Sequence, residues 1–497
     1  MFFRKLPETV AAIDLGSNSF HMIVAKIENG QIHVVDKIKE MVRLGGGLDK
    51  NGNLTEEAQE RALACLSRFG ERLSSLPRGA VRAVGTNTLR KARNSHHFLP
   101  LAQQALGHPI EIVAGREEAR LIYLGVAHSL AASTERRLVM DIGGGSTEYI
   151  IGTEFDPIMM ESLHMGCVSM TQKYFADGEI NEKNWKAAVM HASRELRSIR
   201  RDYLDMGWEQ SVGASGTLLA ISRVLREQGW SSEGITLKGL SKLRKAMMEI
   251  GNIDKLSLKG LGEDRAPVFV GGVAIVQATF EALKIELMVP SDGALREGII
   301  YDMLGRSGDE DVRGRTIDTL ASRYHIDQQQ AQRVTVTAMK LFNAVADEWG
   351  LDGDHGNLLD WAASLHEIGR VIAHNQYHKH GAYMLEHSDL GGFSLQEQMR
   401  LATLVRAHRR KFPVKIFQQY ESAEFTTMVR LAILLRLAVL FHRNRDERDL
   451  PLLSVEAREN GLYLEFAEGW LKENGLTKAD LKSERKLLQT FDFNLEF

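Results

Sequence analysis

The sequence predicts an α/β protein in two related halves over residues 1–305, then a helical region and a small α/β end. Three observations predict it. Short β-type runs alternate with helical periodicity as far as Leu304. One unit is written twice: an apolar strand ending in Asp, a glycine turn and a returning strand. It reads AAIDLGSNSFHMIVAKI at residues 11–27 and LVMDIGGGSTEYII at residues 138–151, as in an internal duplication. From about Gly305 helical periodicity takes over.

In the first half, residues 9–14, 20–27 and 32–44 read as strands, with Asn29-Gly30 a hairpin signal. Thr55 caps a helix running to about Ser75, which Pro77 and Gly79 stop. Residues 80–84 form a strand, and Gly85-Thr86-Asn87-Thr88 opens a helix carrying Arg90. Residues 110–113 form another strand, and Gly115-Arg116-Glu117-Glu118 opens a helix to about His128. The second half adds a strand at 158–163, a helix at 182–205, and a strand at 211–214 that turns at Ser215-Gly216-Thr217 into a helix. A strand at 287–290 precedes a helix at 295–304. Further helices are expected at 328–349, 357–374 and 395–408. A hairpin follows around Asn460-Gly461, then a helix and a last strand at 490–497. The boundaries fall at 1–130, 131–305, 306–445 and 446–497.

Bulk properties limit the function classes. A chain of 497 residues exceeds one ordinary core. A net charge of −3 sets up no global field for a polyanion, so no nucleic-acid partner is expected and any polyphosphate must meet a local basic patch. Two cysteines, Cys65 and Cys167, make no disulfide framework and fit a reducing cytosol. The first ten residues lack a signal-peptide hydrophobic region. Residues 428–441, an apolar run broken by Arg430 and Arg436, read as an amphipathic core helix.

The glycines of the second hairpin carry the chemistry. Gly143, Gly144 and Gly145 have no Cβ, so successive N–H groups can close on one anion. Asp141 and Glu148 flank that turn, an arrangement that suits a metal ion between carboxylate and phosphate; a plain hairpin with a flexible tip is the bland alternative. Glu118 sits in the first turn of its helix, where the dipole already favours an acid. Facing a phosphate cradle, it could activate water. Arg90 opposes the dipole at its own helix start, which favours a phosphate contact. Seven of the 17 histidines lie between His355 and His408, yet no ligand spacing such as H-E-x-x-H occurs. His366-Glu367 is expected within an apolar helix. Arg409, Arg410 and Lys411, joined by His378, Lys379 and His380, could form a track for an extended anion.

Taken together, Asp14 to Phe20, Gly85 to Arg90, Glu117 to Arg120, Asp141 to Glu148, Met165 to Val168, Gly213 to Thr217 and Asp292 to Gly298 resemble the exopolyphosphatase / guanosine pentaphosphate phosphohydrolase family, of the actin-like ATPase superfamily. The resemblance covers nearly the whole chain. It implies two RNase H-like domains, a helical third domain related to His-Asp phosphohydrolases, a small fourth domain and a homodimer. It implies cytoplasmic, Mg²⁺-dependent phosphoanhydride hydrolysis, with association at the membrane periphery left open. It makes Glu118 the base and Asp14, Asp141 and Glu148 the metal carboxylates. Phosphate contacts fall to Ser17, Asn18, Ser19, Arg90, Gly143, Gly144, Gly145, Ser146, Thr147, Ser215, Gly216 and Thr217. His366-Glu367 departs from the metal-binding His-Asp pair, so no second metal is carried over. Inorganic polyphosphate is the first substrate expected and guanosine pentaphosphate (pppGpp) the close rival. An ATP-dependent kinase of the same superfamily is more remote, and would need a purine pocket near Gly213 to Thr217.

Overall fold

The computed structural model describes residues 7–28, 31–130, 133–306, 311–445, 452–489 and 492–497; the Asn29-Gly30 turn and the start of the expected last strand lie outside them. Contacts divide the described residues into two compact units, one within residues 5–307 and one within residues 308–497.

The first unit is built on two sheets of the same design. Strands β1 (Thr9–Leu15), β2 (Phe20–Glu28), β3 (Gln31–Glu40), β4 (Val81–Gly85) and β5 (Ile110–Ile112) form the first, in the order β3-β2-β1-β4-β5. Strands β6 (Arg137–Ile142), β7 (Thr147–Thr153), β8 (Asp156–Leu163), β9 (Gln210–Ala214), β10 (Ile235–Thr236) and β11 (Leu287–Ser291) form the second, in the order β10-β11-β9-β6-β7-β8. Leaving out the short β10, the second sheet repeats the first strand for strand. In each, a two-turn antiparallel meander is followed by parallel strands. This is the mixed-sheet, actin-like arrangement, and the duplicated hairpin is its opening in each half. Both faces of β4 are covered: every residue of it is buried, Arg82 included, whose guanidinium pairs with Glu111 and Asp302.

Helices Gly115–Ser129 and Leu295–Arg306 share a core with both sheets, through Val10, Ala12 and Ile23 on one side and Val139, Ile150 and Val212 on the other. They cross where Gly125 and Gly298 let backbones meet. A Cβ on Gly125 would stand 2.8 Å from the Gly298 nitrogen, and one on Gly298 3.0 Å from the Gly125 nitrogen. This crossing fixes the first turn of Gly115–Ser129, which carries Glu118, against the sheet ends.

The expected helix at 182–205 is two, Glu182–Leu196 and Arg200–Met206. Helix Ala266–Leu283 has the length and hydropathy of a membrane span, but 67% of that window is buried as the central helix of its half.

The second unit is helical around one core, with a three-stranded sheet: β12 (Leu452–Arg458) antiparallel to β13 (Gly461–Phe466), and β14 (Asn494–Glu496) parallel to β13. Helix Gln328–Trp349 runs as the periodicity predicts. Two expectations are corrected. The helix expected at 357–374 is Gly353–Leu365, so His366 caps its end rather than lying within it. The His366 ring bonds the Ala363 carbonyl at 2.6 Å and a 3₁₀ turn, Ile368–Val371, follows. Residues 428–441 belong to helix Ser422–Phe441, which is buried nearly all round over that stretch rather than amphipathic. Its Arg436 is buried because Glu484 binds it, Oε2 at 2.9 Å from Nη2.

Candidate active site

The tips of the two duplicated hairpins close on each other. A Cβ on Gly144 would lie 2.7 Å from the Ser17 Cβ and 3.3 Å from Val168 Cγ2; one on Gly145 would lie 2.7 Å from Asn87 Oδ1. These two positions need glycine because of that approach. Between the tips runs a cleft of about 360 Å³, lined among others by Asp14, Glu118 and Asp141.

Each loop is braced from behind and offers donors in front. Thr88 Oγ1 donates to Ser17 Oγ at 2.7 Å, and Gly45 N–H to the Ser17 carbonyl at 2.7 Å. Asn18 is buried on the cleft wall with Nδ2 unpartnered, a donor that costs free energy unless a ligand accepts from it. In the second loop the Gly143 carbonyl accepts from Cys167 N–H, and the Gly144 carbonyl from Val168 and Ser169 N–H. The loop's acceptors are thus occupied by the start of helix Cys167–Tyr174. Ser215, at φ 117, holds a third loop in a strained backbone; its Oγ accepts from Ile142 N–H at 3.4 Å and Leu218 N–H at 3.5 Å.

Burial raises four carboxylates here, and Glu118 adds to the rise of the other three. Burial pushes Asp14 up to about 7, against the pull of Arg296 and with the push of Glu118 and Glu297. Burial lifts Asp141 well above the carboxylate range, and Glu118 and Asp14 add to it. Asp141 and Glu148 are cross-strand partners in the β6–β7 hairpin. Glu148 is raised by burial and then by Glu118 and Asp141; Ser162 Oγ donates to its Oε1 at 2.8 Å, while its Oε2 is buried without a partner. Burial raises Glu118, and the Arg90 guanidinium, 3.3 Å from its Oε2, opposes the rise.

Stacked acidic burial of this kind asks for a cation. The orphaned Glu148 oxygen and the raised Asp14 and Asp141 fit one chemically. Among the described residues, however, no three His, Cys, Asp or Glu side chains gather as a ligand set. Of the three carboxylates expected to hold the metal, Asp14 and Asp141 line the cleft and Glu148 does not. Mg²⁺ ordinarily takes one or two carboxylates, with waters and substrate phosphate completing its shell.

The expected phosphate contacts divide. Ser17, Asn18, Ser19, Gly143, Gly144, Ser146, Ser215 and Gly216 line the cleft; Arg90, Gly145, Thr147 and Thr217 do not. The Thr147 hydroxyl donates to the Met165 carbonyl at 2.6 Å, so it braces the loop. Thr217 is buried beneath its loop, near Cys167. Gly145 is turned to Asn87, and Arg90 is spent on the Val113 carbonyl (2.5 Å) and on Glu118. Of the expected anion track, Arg409 and Arg410 line a separate cavity in the second unit; His378, Lys379, His380 and Lys411 do not line it.

Sequence reasoning missed four cations of the cleft, Lys39, Arg223, Arg265 and Arg296. Arg296 was legible, since it lies inside the Asp292 to Gly298 motif. It donates to His21 Nδ1 at 2.6 Å, and His21 Nε2 meets Ser19 Oγ at 2.8 Å. Burial and then Arg296 push His21 down to about 2, so it stays a neutral relay that orients the Ser19 hydroxyl.

The Ppx/GppA phosphatase family matches residues 23–307, and its domain III matches residues 312–485. The chain is 41% identical over 475 residues to the guanosine-5'-triphosphate,3'-diphosphate pyrophosphatase of Aeromonas hydrophila, covering 95% of each chain. It is 41% identical over 479 residues to the protein of the same name from Pseudoalteromonas atlantica, covering 96% of this chain and 95% of that one. Among solved structures it resembles an exopolyphosphatase from Cytophaga hutchinsonii at 26% identity and a TM-score of 0.54, over 60% of this chain and 97% of that one. A Ppx/GppA family member from Aquifex aeolicus gives 26% and 0.51, over 60% and 97%. On these matches, which together span nearly the whole chain, the chain belongs to the Ppx/GppA phosphatase family.

Proposed function

We propose that the chain hydrolyses the terminal phosphoanhydride of pppGpp, releasing orthophosphate and guanosine tetraphosphate. The observation that carries this reading is the make-up of the cleft. Its wall carries the donors of the two hairpin loops and, with them, Leu219, Ala220, Arg223 and Arg265. A bare polyphosphate chain has no use for the apolar part of that wall; a nucleoside does. Full-length relatives at 41% identity carry the matching name. The order of substrates expected from the motifs alone is accordingly reversed. Polyphosphate stays as the second reading, favoured by the four cations of the cleft and by the name of the Cytophaga hutchinsonii neighbour.

In this mechanism Glu118 takes a proton from water as its oxygen attacks the terminal phosphorus, and the bond to the bridging oxygen breaks. Ser17, Asn18, Gly144 and Ser146 hold the phosphoryl oxygens, and Ser19 is oriented by the Arg296–His21 relay. Asp14 and Asp141 would hold Mg²⁺, which when bound supplies neutralisation of the charge spreading over the phosphoryl group. Glu118→Gln should fold normally and lose at least about 10²-fold in kcat. Near-normal turnover removes Glu118 from the chemistry. Orthophosphate release from pppGpp and from polyphosphate, at matched Mg²⁺, decides the substrate: a higher kcat/KM on polyphosphate overturns the first reading.

A further inference from the structure

The second unit holds a cavity of about 600 Å³ that the hydrolytic reaction does not use. Six arginines line it: Arg370, Arg409, Arg410, Arg436, Arg443 and Arg445. Four carboxylates answer them, one of which, Asp327, lies outside the cavity lining and takes Arg445 at 2.7 Å. Glu367 takes Arg370 (3.0 Å) and Arg445 (2.6 Å), Asp480 takes Arg443 (2.7 Å), and Glu484 takes Arg436 (2.9 Å). Six cations against four anions leave a surplus of two positive charges, those of Arg409 and Arg410. Among the described residues neither Arg409 nor Arg410 has an ion-pair partner.

The surplus is built in. Arg436 is buried, and its guanidinium donates to the carbonyls of Ala407 (2.6 Å) and Arg410 (2.9 Å). It therefore fixes the backbone that presents the two unpaired arginines. Arg410 is held at φ 64, a left-handed conformation uncommon outside glycine. The Arg409 guanidinium lies 4.3 Å from the Tyr377 ring centroid, which orients it without neutralising it. Burial keeps three neighbouring histidines, His366, His378 and His408, from adding charge. Burial lowers His378 to about 4, with Arg406 and Arg409 adding to the shift, and burial holds His408 well below its usual range. No metal ligand set forms around them among the described residues. What the wall lacks is an anion with several oxygens for forked guanidinium donors.

We propose that this cavity binds a compact multivalent phosphate, a diphosphate group free or carried on a nucleotide, gripped by Arg409 and Arg410. Its volume lies in the range that takes nucleotide-sized ligands. The inference does not depend on which substrate the cleft hydrolyses.

Hydrogen–deuterium exchange on the full chain, with inorganic pyrophosphate in one arm and guanosine 5'-diphosphate in another, tests it. At about ten times the Kd, exchange in segments 366–378 and 406–413 should slow about tenfold. Slowing by pyrophosphate at least as strong as by the nucleotide marks the free anion as ligand, and the reverse marks the nucleotide. The double variant R409A/R410A should lose this protection while keeping any seen at residues 14–18 and 141–146. R409K/R410K, which keeps the charge, should restore part of it. Protection confined to the cleft in both arms overturns the proposal, as does protection of segments 366–378 and 406–413 that survives R409A/R410A.

Discussion

Lys39 Nζ lies 2.8 Å from Asp264 Oδ2, and the pair joins opposite walls of the cleft. Lys39 is on β3 of the first sheet; Asp264 precedes helix Ala266–Leu283 of the second half. Both side chains are more than a third exposed, so the pair adds at most about 1 kcal/mol to stability. Its effect belongs to cleft closure. Lys39→Ala and Asp264→Ala should each raise KM by no more than about fivefold, with kcat nearly unchanged. Steady-state kinetics at low and high salt checks this, since the wild-type KM should rise toward the variants' as salt screens the pair. If Asp264→Ala instead lowers KM, Lys39 acts on the substrate's charge and the pair is no latch.

Arg90 touches Glu118 but does not line the cleft, so its effect should be read in pH rather than in affinity. Its positive charge opposes the rise that burial imposes on Glu118. Removing it in Arg90→Gln should lift Glu118 further and move the acid limb of the kcat–pH profile to higher pH. Arg90→Lys should move it less. An acid limb that stays put, or moves down, would mean that the base is another group.

The parts of this site legible in the sequence are those encoded locally. Asp141 and Glu148 flank a turn, so their cross-strand pairing follows from the hairpin alone. Glu118 follows from a strand-to-helix junction. What escaped is carried by long-range packing. Lys39 meets Asp264 across 225 positions and His21 meets Arg296 across 275, and no periodicity reports such pairs. Helix Ala266–Leu283 escaped for another reason: it is apolar on nearly every side, so no amphipathic stripe marks it. Thr147 and Thr217 show the opposite error. Their place in glycine-rich motifs suggests phosphate donors, yet packing turns both inward.

Asp302 should be the costliest single charge to lose. It is buried and accepts from Arg82 at 2.5 Å, from Arg306 at 2.9 Å and from Arg120. Asp302→Ala would leave Arg82 and Arg120 buried with one partner fewer, at a cost of about 3–5 kcal/mol. Those arginines hold the Asp302 carboxyl far below the usual carboxylate range, despite its burial. A depressed folded-state value means the contribution is present above the unfolded value, about pH 4, and is lost as pH falls below it. Urea unfolding at pH 7 and pH 3 should therefore give a stability gap to wild type that narrows at the lower pH. A gap independent of pH would assign the loss to packing alone.

Asp14 should behave in the opposite sense. Its folded-state value is pushed up to about 7, so the folded chain binds an extra proton between about pH 4 and pH 7. Stability must then fall as pH rises through that window, because the unfolded carboxyl ionises first. Asp14→Asn keeps the shape and removes the charge. Without divalent cations it should match wild type below about pH 4 and exceed it by about 2–4 kcal/mol at pH 8.5. The same substitution should abolish most activity, because it removes a carboxylate proposed to hold Mg²⁺. Adding Mg²⁺ at pH 8.5 should stabilise wild type more than the variant and close part of the gap. Chemical denaturation with and without chelator measures all of this. If the variant is the less stable protein at pH 8.5 in chelator, Asp14 is not a strained charge awaiting a cation, and the metal assignment loses its electrostatic basis.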